Sequence, residues 1–278
     1  MKINSPAKIN LFLHVIGKRP NGYHDIHSLM CGLALSDTLT LDFQASKITV
    51  ACTHSAVPED ETNIAYRAAE CFFDALGHSG GVSIDIEKHI PVAAGLGGGS
   101  SNAAGVLSGL NTYYGHPFSN RRLASLALTL GADVPFFIYQ KPALATGVGE
   151  NLVFFDRIRA YPIVLIHPEI QVSTADVYNN LNLGLTNCEQ KLKSFPLNEG
   201  FNPLRHLCND LETVTISWYP EISDIKRALL DQGALGSLMS GSGPTVFGIY
   251  SDSDQAREAY KTLSKNQRWS CFVTQLLV

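Results

Sequence analysis

With 278 residues, 45% of them hydrophobic, the chain is long enough for two ordinary domains, each with its own buried core, which excludes a disordered protein. The formal net charge of -4 excludes a general electrostatic attraction to nucleic acid or to a membrane surface, so any phosphate binding must be local. The six cysteines, Cys31, Cys52, Cys71, Cys188, Cys208 and Cys271, form no Cys-x-x-Cys and no Cys/His pairing of a zinc site, and are read as reduced thiols of a cytoplasmic protein.

Pro6, Lys8 and Asn10 interrupt the first apolar stretch, which therefore lacks the core of a signal peptide. Alternation over Ser5 to Leu13 predicts a strand with Lys8 and Asn10 on one face and Ile9 and Leu11 on the other. The two polar residues face either a cleft or solvent. A turn signal at Asn21-Gly22 then presents Tyr23 and His24 near a loop, where an aromatic and a hydrogen-bonding ring either recognise a planar base or are ordinary surface residues. His24 and His27 are too few to make a metal site.

Period-2 patterning predicts strands over Thr38 to Phe43 and Val82 to Glu87. Between them, Thr62 is placed to cap a helix running through Ile64, Ala68, Cys71, Phe72 and Leu76, with Gly77 as its stop. After the second strand comes Pro91-Val92-Ala93-Ala94-Gly95-Leu96-Gly97-Gly98-Gly99-Ser100-Ser101, leading into a helix that starts near Ser101. Glycines let backbone N–H groups approach a polyphosphate, and the helix adds free N–H groups and the positive end of its dipole. Ser100 and Ser101 can donate to phosphate or ligate magnesium, while Ala103, Ala104 and Gly105 keep the first turns slim. The loop is not a Walker A, because no Gly-Lys-Ser/Thr closes it, and it lacks the glycine spacing of a dinucleotide-binding turn.

A second helix is predicted from Ser119 to Gly131, with Gly131 as a left-handed C-terminal cap. Asp133 follows between apolar stretches, as a general base or as a turn or cap acceptor; with Pro135 it also breaks the apolar window Leu123 to Tyr139, which is too short to span a membrane. Gly184 to Gly200 has little periodicity and reads as a connection. A helix over Pro220 to Leu230 stops at Gly233, and Met239-Ser240-Gly241-Ser242-Gly243-Pro244-Thr245 lies between two strand-like pieces, either wrapping phosphate or making a tight turn. A polar helix near Ser253 to Ser264 and a strand through Cys271 to Val278 close the chain. Strands and helices mix without regular alternation, so the fold class is α+β in two domains, 1–155 and 156–278.

Four segments taken in order, Pro6 to Leu11 continuing through Gly17-Lys18-Arg19-Pro20-Asn21-Gly22-Tyr23-His24, Pro91 to Ala104, Leu130 to Pro135, and Gly241 to Thr245, resemble the motifs of the GHMP kinases. The first and third are similar to a narrower group within that family, one acting on a cytidine diphosphate-linked methylerythritol. Asn21 stands where that group often has Asp, and Thr186 to Phe201 matches nothing in it.

The resemblance implies a GHMP kinase fold: a ribosomal-protein-S5-like N-terminal domain with a left-handed βαβ crossover and a ferredoxin-like C-terminal domain. It implies a cytoplasmic enzyme that phosphorylates the 2-hydroxyl of 4-diphosphocytidyl-2-C-methyl-D-erythritol with ATP and Mg2+, the magnesium ligands being unassigned. By the same resemblance Asp133 is the base and Lys8 its partner, Pro91 to Ser101 hold ATP, and Asn10, Tyr23, His24 and Tyr178 contact the cytidine substrate, His24 at the cytosine edge and Tyr178 on the ring. The alternatives are a homoserine or mevalonate kinase of the same family, and a non-catalytic nucleotide-binding regulator on the same fold, which would be expected to lose Lys8 or Asp133. A dinucleotide oxidoreductase is disfavoured by the missing glycine spacing.

Overall fold

The structure, a computed structural model, describes residues 1–186, 188 and 200–278; most of the unmatched segment Thr186 to Phe201 lies outside the described residues. The first half runs β1 (Lys2–Lys18), β2 (His24–Asp42), β3 (Ile48–Cys52), α1 (Ile64–Leu76), β4 (Val82–Glu87), α2 (Gly98–Tyr113), α3 (Asn120–Leu130) and α4 (Val134–Tyr139). There follow β5 (Ala143–Gly147), β6 (Asn151–Phe154), β7 (Pro162–Pro168), α5 (Thr174–Asn179), α6 (Pro203–His206), β8 (Cys208–Asn209) and α7 (Glu212–Trp218). The chain ends with α8 (Glu221–Asp231), β9 (Gly236–Met239), β10 (Val246–Ile249), α9 (Ser253–Leu263) and β11 (Trp269–Leu277).

Two compact units form, each from discontinuous stretches. The first comprises Met1–Ala7, Leu35–Val92 and Gly97–Lys141. In it β3 and β4 are parallel, with Val50 opposite Ile84, and α1 makes the crossover of this βαβ unit. The alternation of β4 buries Val82, Ile84 and Ile86 and leaves Asp85 and Glu87 exposed. Helix α1 packs on α2, and α2 on α3 and α4, around Phe72, Leu107, Leu110, Leu123 and Phe136. Helix α2 is buried over most of its length, and a methyl group at Gly105 would stand 2.6 Å from Leu39 Cδ1, so its small residues serve close packing.

The second unit comprises Lys8–Ala34, Ala93–Leu96 and Pro142–Val278. Its elements β7, α8, β9, β10, α9 and β11, with α5, α6, β8 and α7 inserted after β7, read β-α-β-β-α-β in chain order, with the strands in the order β11-β7-β10-β9 and every neighbouring pair antiparallel. This is the ferredoxin-like arrangement. Its core holds Val164, Ile166, Ile222, Ile225, Leu229 and Tyr250. Around it β1 pairs in parallel with β8, placing Leu13 opposite Asn209, and β2 pairs with β5 and with β11.

Several local expectations need correction. Asn63, not Thr62, caps α1, its side chain accepting from the Ala65 N–H at 2.8 Å; Thr62 instead bonds to Asp60. Helix α2 begins at Gly98, three residues before Ser101, because packing overrides glycine's poor helix propensity. Gly131 has φ 169°, an extended backbone and not a left-handed cap. Cys188 and Cys208 are disulfide-paired, their Cα atoms 5.6 Å apart, so only Cys31, Cys52, Cys71 and Cys271 are free thiols.

Candidate functional site

The phosphate-type loop is shaped by backbone conformation more than by side chains. Positive φ recurs at Ala93 (54°), Gly95 (76°) and Gly97 (70°). An L-residue such as Ala93 in that region costs about 1–2 kcal/mol, a strain retained where the surroundings dictate the conformation. A Cβ on Gly95 would collide with the Ser240 carbonyl oxygen, so only glycine permits that approach. Helix α2 then opens at Gly98. The Ser101 N–H bonds to the Gly97 carbonyl at 2.9 Å, and the helical N–H groups before it have no acceptor within the helix, which leaves donors for an anion.

The second glycine loop, Ser240 to Thr245, belongs to the same unit as Ala93 to Leu96 and is tied to it. Ser240 Oγ donates to the Gly95 carbonyl at 3.0 Å, and the Thr245 N–H lies 3.4 Å from the Ala94 carbonyl. Its own hydroxyls are also engaged: Ser242 Oγ is 2.7 Å from Thr174 Oγ1, and Thr245 Oγ1 is 3.2 Å from His167 Nδ1. Ser240, Ser242 and Thr245 are buried. The loop is therefore a brace behind the arm of the first loop.

Lys8 and Asn10 share a face of β1, as the alternation predicts, but that face is not solvent: Lys8 is 4% and Asn10 3% exposed. Lys8 Nζ donates to Asn10 Oδ1 at 2.7 Å, and Asn10 Nδ2 donates to Ser28 Oγ at 2.8 Å. The Lys8 backbone N–H donates to the Leu96 carbonyl at 2.9 Å, fixing β1 to the phosphate-type loop within one unit. His24 and Tyr178 are also brought together in that unit, with ring centroids 5.1 Å apart and planes inclined at 32°. His24 is 8% exposed, and its burial, reinforced by the charge of Lys18, holds its pKa below the ordinary imidazole value. Tyr23, by contrast, is 61% exposed and projects from the turn. Asp133 lies in the other unit as the N-cap residue of α4, yet its side chain makes no capping bond, so the cap alternative for this carboxylate is not realised.

Sequence reasoning missed the residues that hold these loops. Asn209 Nδ2 donates to the carbonyls of Met239 (2.9 Å) and Gly241 (2.7 Å), and Thr215 Oγ1 donates to that of Ser242 at 3.2 Å. In the first unit Asp37, fully buried, accepts from the backbone at the entrance of the phosphate-type loop. The available signal was an acid inside the strand pattern of Leu35 to Leu39. Ser101 Oγ is buried without a hydrogen-bond partner, an orphaned hydroxyl in the first turn of α2. Among the described residues no group of three or more His, Cys, Asp and Glu is arranged to hold a metal ion, and no helix is long and apolar enough to cross a membrane.

Two family models match the chain: GHMP kinases N terminal domain over residues 63–141, and GHMP kinases C terminal over residues 196–268. The chain is 47% identical over 274 residues to a 4-diphosphocytidyl-2-C-methyl-D-erythritol kinase of Syntrophotalea carbinolica, covering 98% of this chain and 97% of that one. A crystal structure of 4-(cytidine 5'-diphospho)-2C-methyl-D-erythritol kinase superimposes with a TM-score of 0.83 at 35% identity, covering 99% of each chain. A homoserine kinase of Cytophaga hutchinsonii superimposes with a TM-score of 0.78 at 20% identity, covering all of this chain and 94% of that one, a likeness of fold alone.

Proposed function

The chain belongs to the GHMP kinases, and on that premise we propose that it transfers the γ-phosphoryl group of ATP to the 2-hydroxyl of 4-diphosphocytidyl-2-C-methyl-D-erythritol, a step of isoprenoid precursor synthesis. The observation that carries the substrate assignment is the 47% identity, over nearly the full length of both chains, to an enzyme of that name. The domain division at 155/156 falls between the two family matches and is part of the same reading.

Asp133 takes the proton of the 2-hydroxyl as its oxygen bonds to the γ-phosphorus; the bond from that phosphorus to the bridging oxygen breaks, and ADP leaves with the electron pair. Lys8 supplies the positive charge that holds the developing alkoxide, and its bond to Asn10 fixes the ammonium before substrate arrives. Pro91 to Ser101 cradle the phosphates with backbone donors, and the orphaned Ser101 hydroxyl fits either a phosphate oxygen or a magnesium ion. Mg2+ bound with ATP would neutralise phosphate charge there. ATP and a water-soluble nucleotide substrate fit a cytoplasmic setting.

His24 reads the cytosine edge, Tyr178 stacks on the ring, and Asn10 and Tyr23 complete the substrate side. A neutral imidazole can accept from the cytosine exocyclic amine through its unprotonated nitrogen, whereas imidazolium offers only donors. Because burial lowers the His24 pKa, the neutral form persists to lower pH than for a free imidazole. The KM for the cytidine substrate should therefore rise on acidification with a midpoint below that of an ordinary imidazole, while His24→Phe should raise it by roughly tenfold and flatten the profile. An unchanged KM in His24→Phe would remove this residue from the substrate side.

Magnesium-dependent ADP release, measured with the cytidine substrate, homoserine and mevalonate in parallel, tests the whole reading. Turnover with the cytidine substrate alone is expected. Turnover only with another alcohol would retain the phosphoryl-transfer assignment and discard the roles of His24 and Tyr178, and no turnover with any of the three would favour a regulator.

A further inference from the structure

We propose that Asp37 is the positioning residue of the phosphate loop, clamping both of its ends through one buried carboxylate; this rests on the reading of Pro91 to Ser101 as the ATP site. Asp37 Oδ1 accepts from the His89 and Ile90 N–H groups at 2.8 and 2.9 Å, at the entrance of the loop. Its Oδ2 accepts from Asn102 Nδ2 at 3.0 Å, on α2 just past the exit, and pairs with Lys88. Lys88 Nζ also lies 3.4 Å from Asn102 Oδ1. All five residues belong to one compact unit, so the clamp is internal to it.

A carboxylate with no solvent exposure is costly to bury, and four donors converge on it, two from each oxygen's side. Such a network fixes geometry more than it adds stability. The position of Lys88 shows what is being fixed: its side chain is 5% exposed, and a Cβ at Gly98 would stand 3.0 Å from its ammonium. A cation against a helix N-terminus opposes the dipole unless it is neutralised, and Asp37 does that. With both ends held, the loop donors are gathered before ATP arrives, so binding need not order them.

The test is a charge-conserving exchange. Asp37→Asn and Asn102→Asp each break the network, whereas the double variant D37N/N102D places an amide at 37, whose oxygen still accepts from His89 and Ile90, and a carboxylate at 102 within reach of Lys88. Asn102→Ala, which deletes only the exit side and leaves the ion pair, serves if Asp37→Asn fails to fold. ATP affinity by titration, KM for each substrate and thermal unfolding are read for all, with Gly97→Val as a control on the loop itself.

Asp37→Asn, Asn102→Asp and Asn102→Ala are expected to weaken ATP binding by about tenfold or more with the acceptor KM within about twofold, and the exchange to recover most of the loss. ATP affinity unchanged in the Asp37 and Asn102 variants while Gly97→Val weakens it would overturn the clamp and spare the loop. Equal loss for both substrates, without recovery in the exchange, would reduce the network to general stability. ATP binding untouched by Gly97→Val would overturn the loop reading itself.

Discussion

Asp133→Asn should lower turnover by about 10³-fold while leaving ATP affinity close to that of the unchanged protein. The substitution is nearly isosteric and replaces the carboxylate by a neutral amide that cannot accept the proton. The backbone is undemanding, since the residue has φ -82° and ψ -18°, a conformation asparagine adopts readily. Nothing in the phosphate loop changes, so the loss should appear in the chemical step, seen as a slowed single turnover at saturating ATP and acceptor. If ATP affinity falls by the same factor as turnover, Asp133 organises the nucleotide site; if turnover falls only a few-fold, another group takes the proton.

Local pattern was more legible in the sequence than the long-range contacts that support it. Lys8 and Asn10 could be placed on one face because strand periodicity is local, and the structure joins them directly. The glycine loop stood out as a run of small residues between a strand and a helix, and α2 does open within it, at Gly98. What the sequence concealed were partners brought together only by the fold. Asp37 lies more than fifty residues from Ile90, Asn209 reaches Gly241 across 32 positions, and Ser242 meets Thr174 across 68. No periodicity encodes such pairs. The second glycine loop was ambiguous for the same reason: its hydroxyls could have faced a phosphate, and only the tertiary contacts of Ser240 and Ser242 turn them toward protein. Helix boundaries failed where two signals competed, as when Asn63 displaced Thr62 at the cap of α1.

Lys8→Met should lower kcat by about 10²- to 10³-fold with the KM for ATP changed by no more than a few-fold. Methionine approximates the aliphatic length of lysine and deletes the ammonium. The bond that ties this residue to the phosphate loop comes from the Lys8 backbone N–H to the Leu96 carbonyl, so it survives the substitution. The variant also leaves Asn10 Oδ1 without the lysine donor, a buried loss of roughly 1–3 kcal/mol, so a lower melting temperature is expected and must be separated from the kinetic effect. Lys8→Arg makes that separation. It keeps the charge but exchanges a point-like ammonium for a planar fork in a buried position, so its kcat should fall between those of the two other proteins. A kcat for Lys8→Met within twofold of the unchanged protein, at temperatures where both are folded, would mean that the charge stabilises the fold of β1 and contributes nothing to phosphoryl transfer.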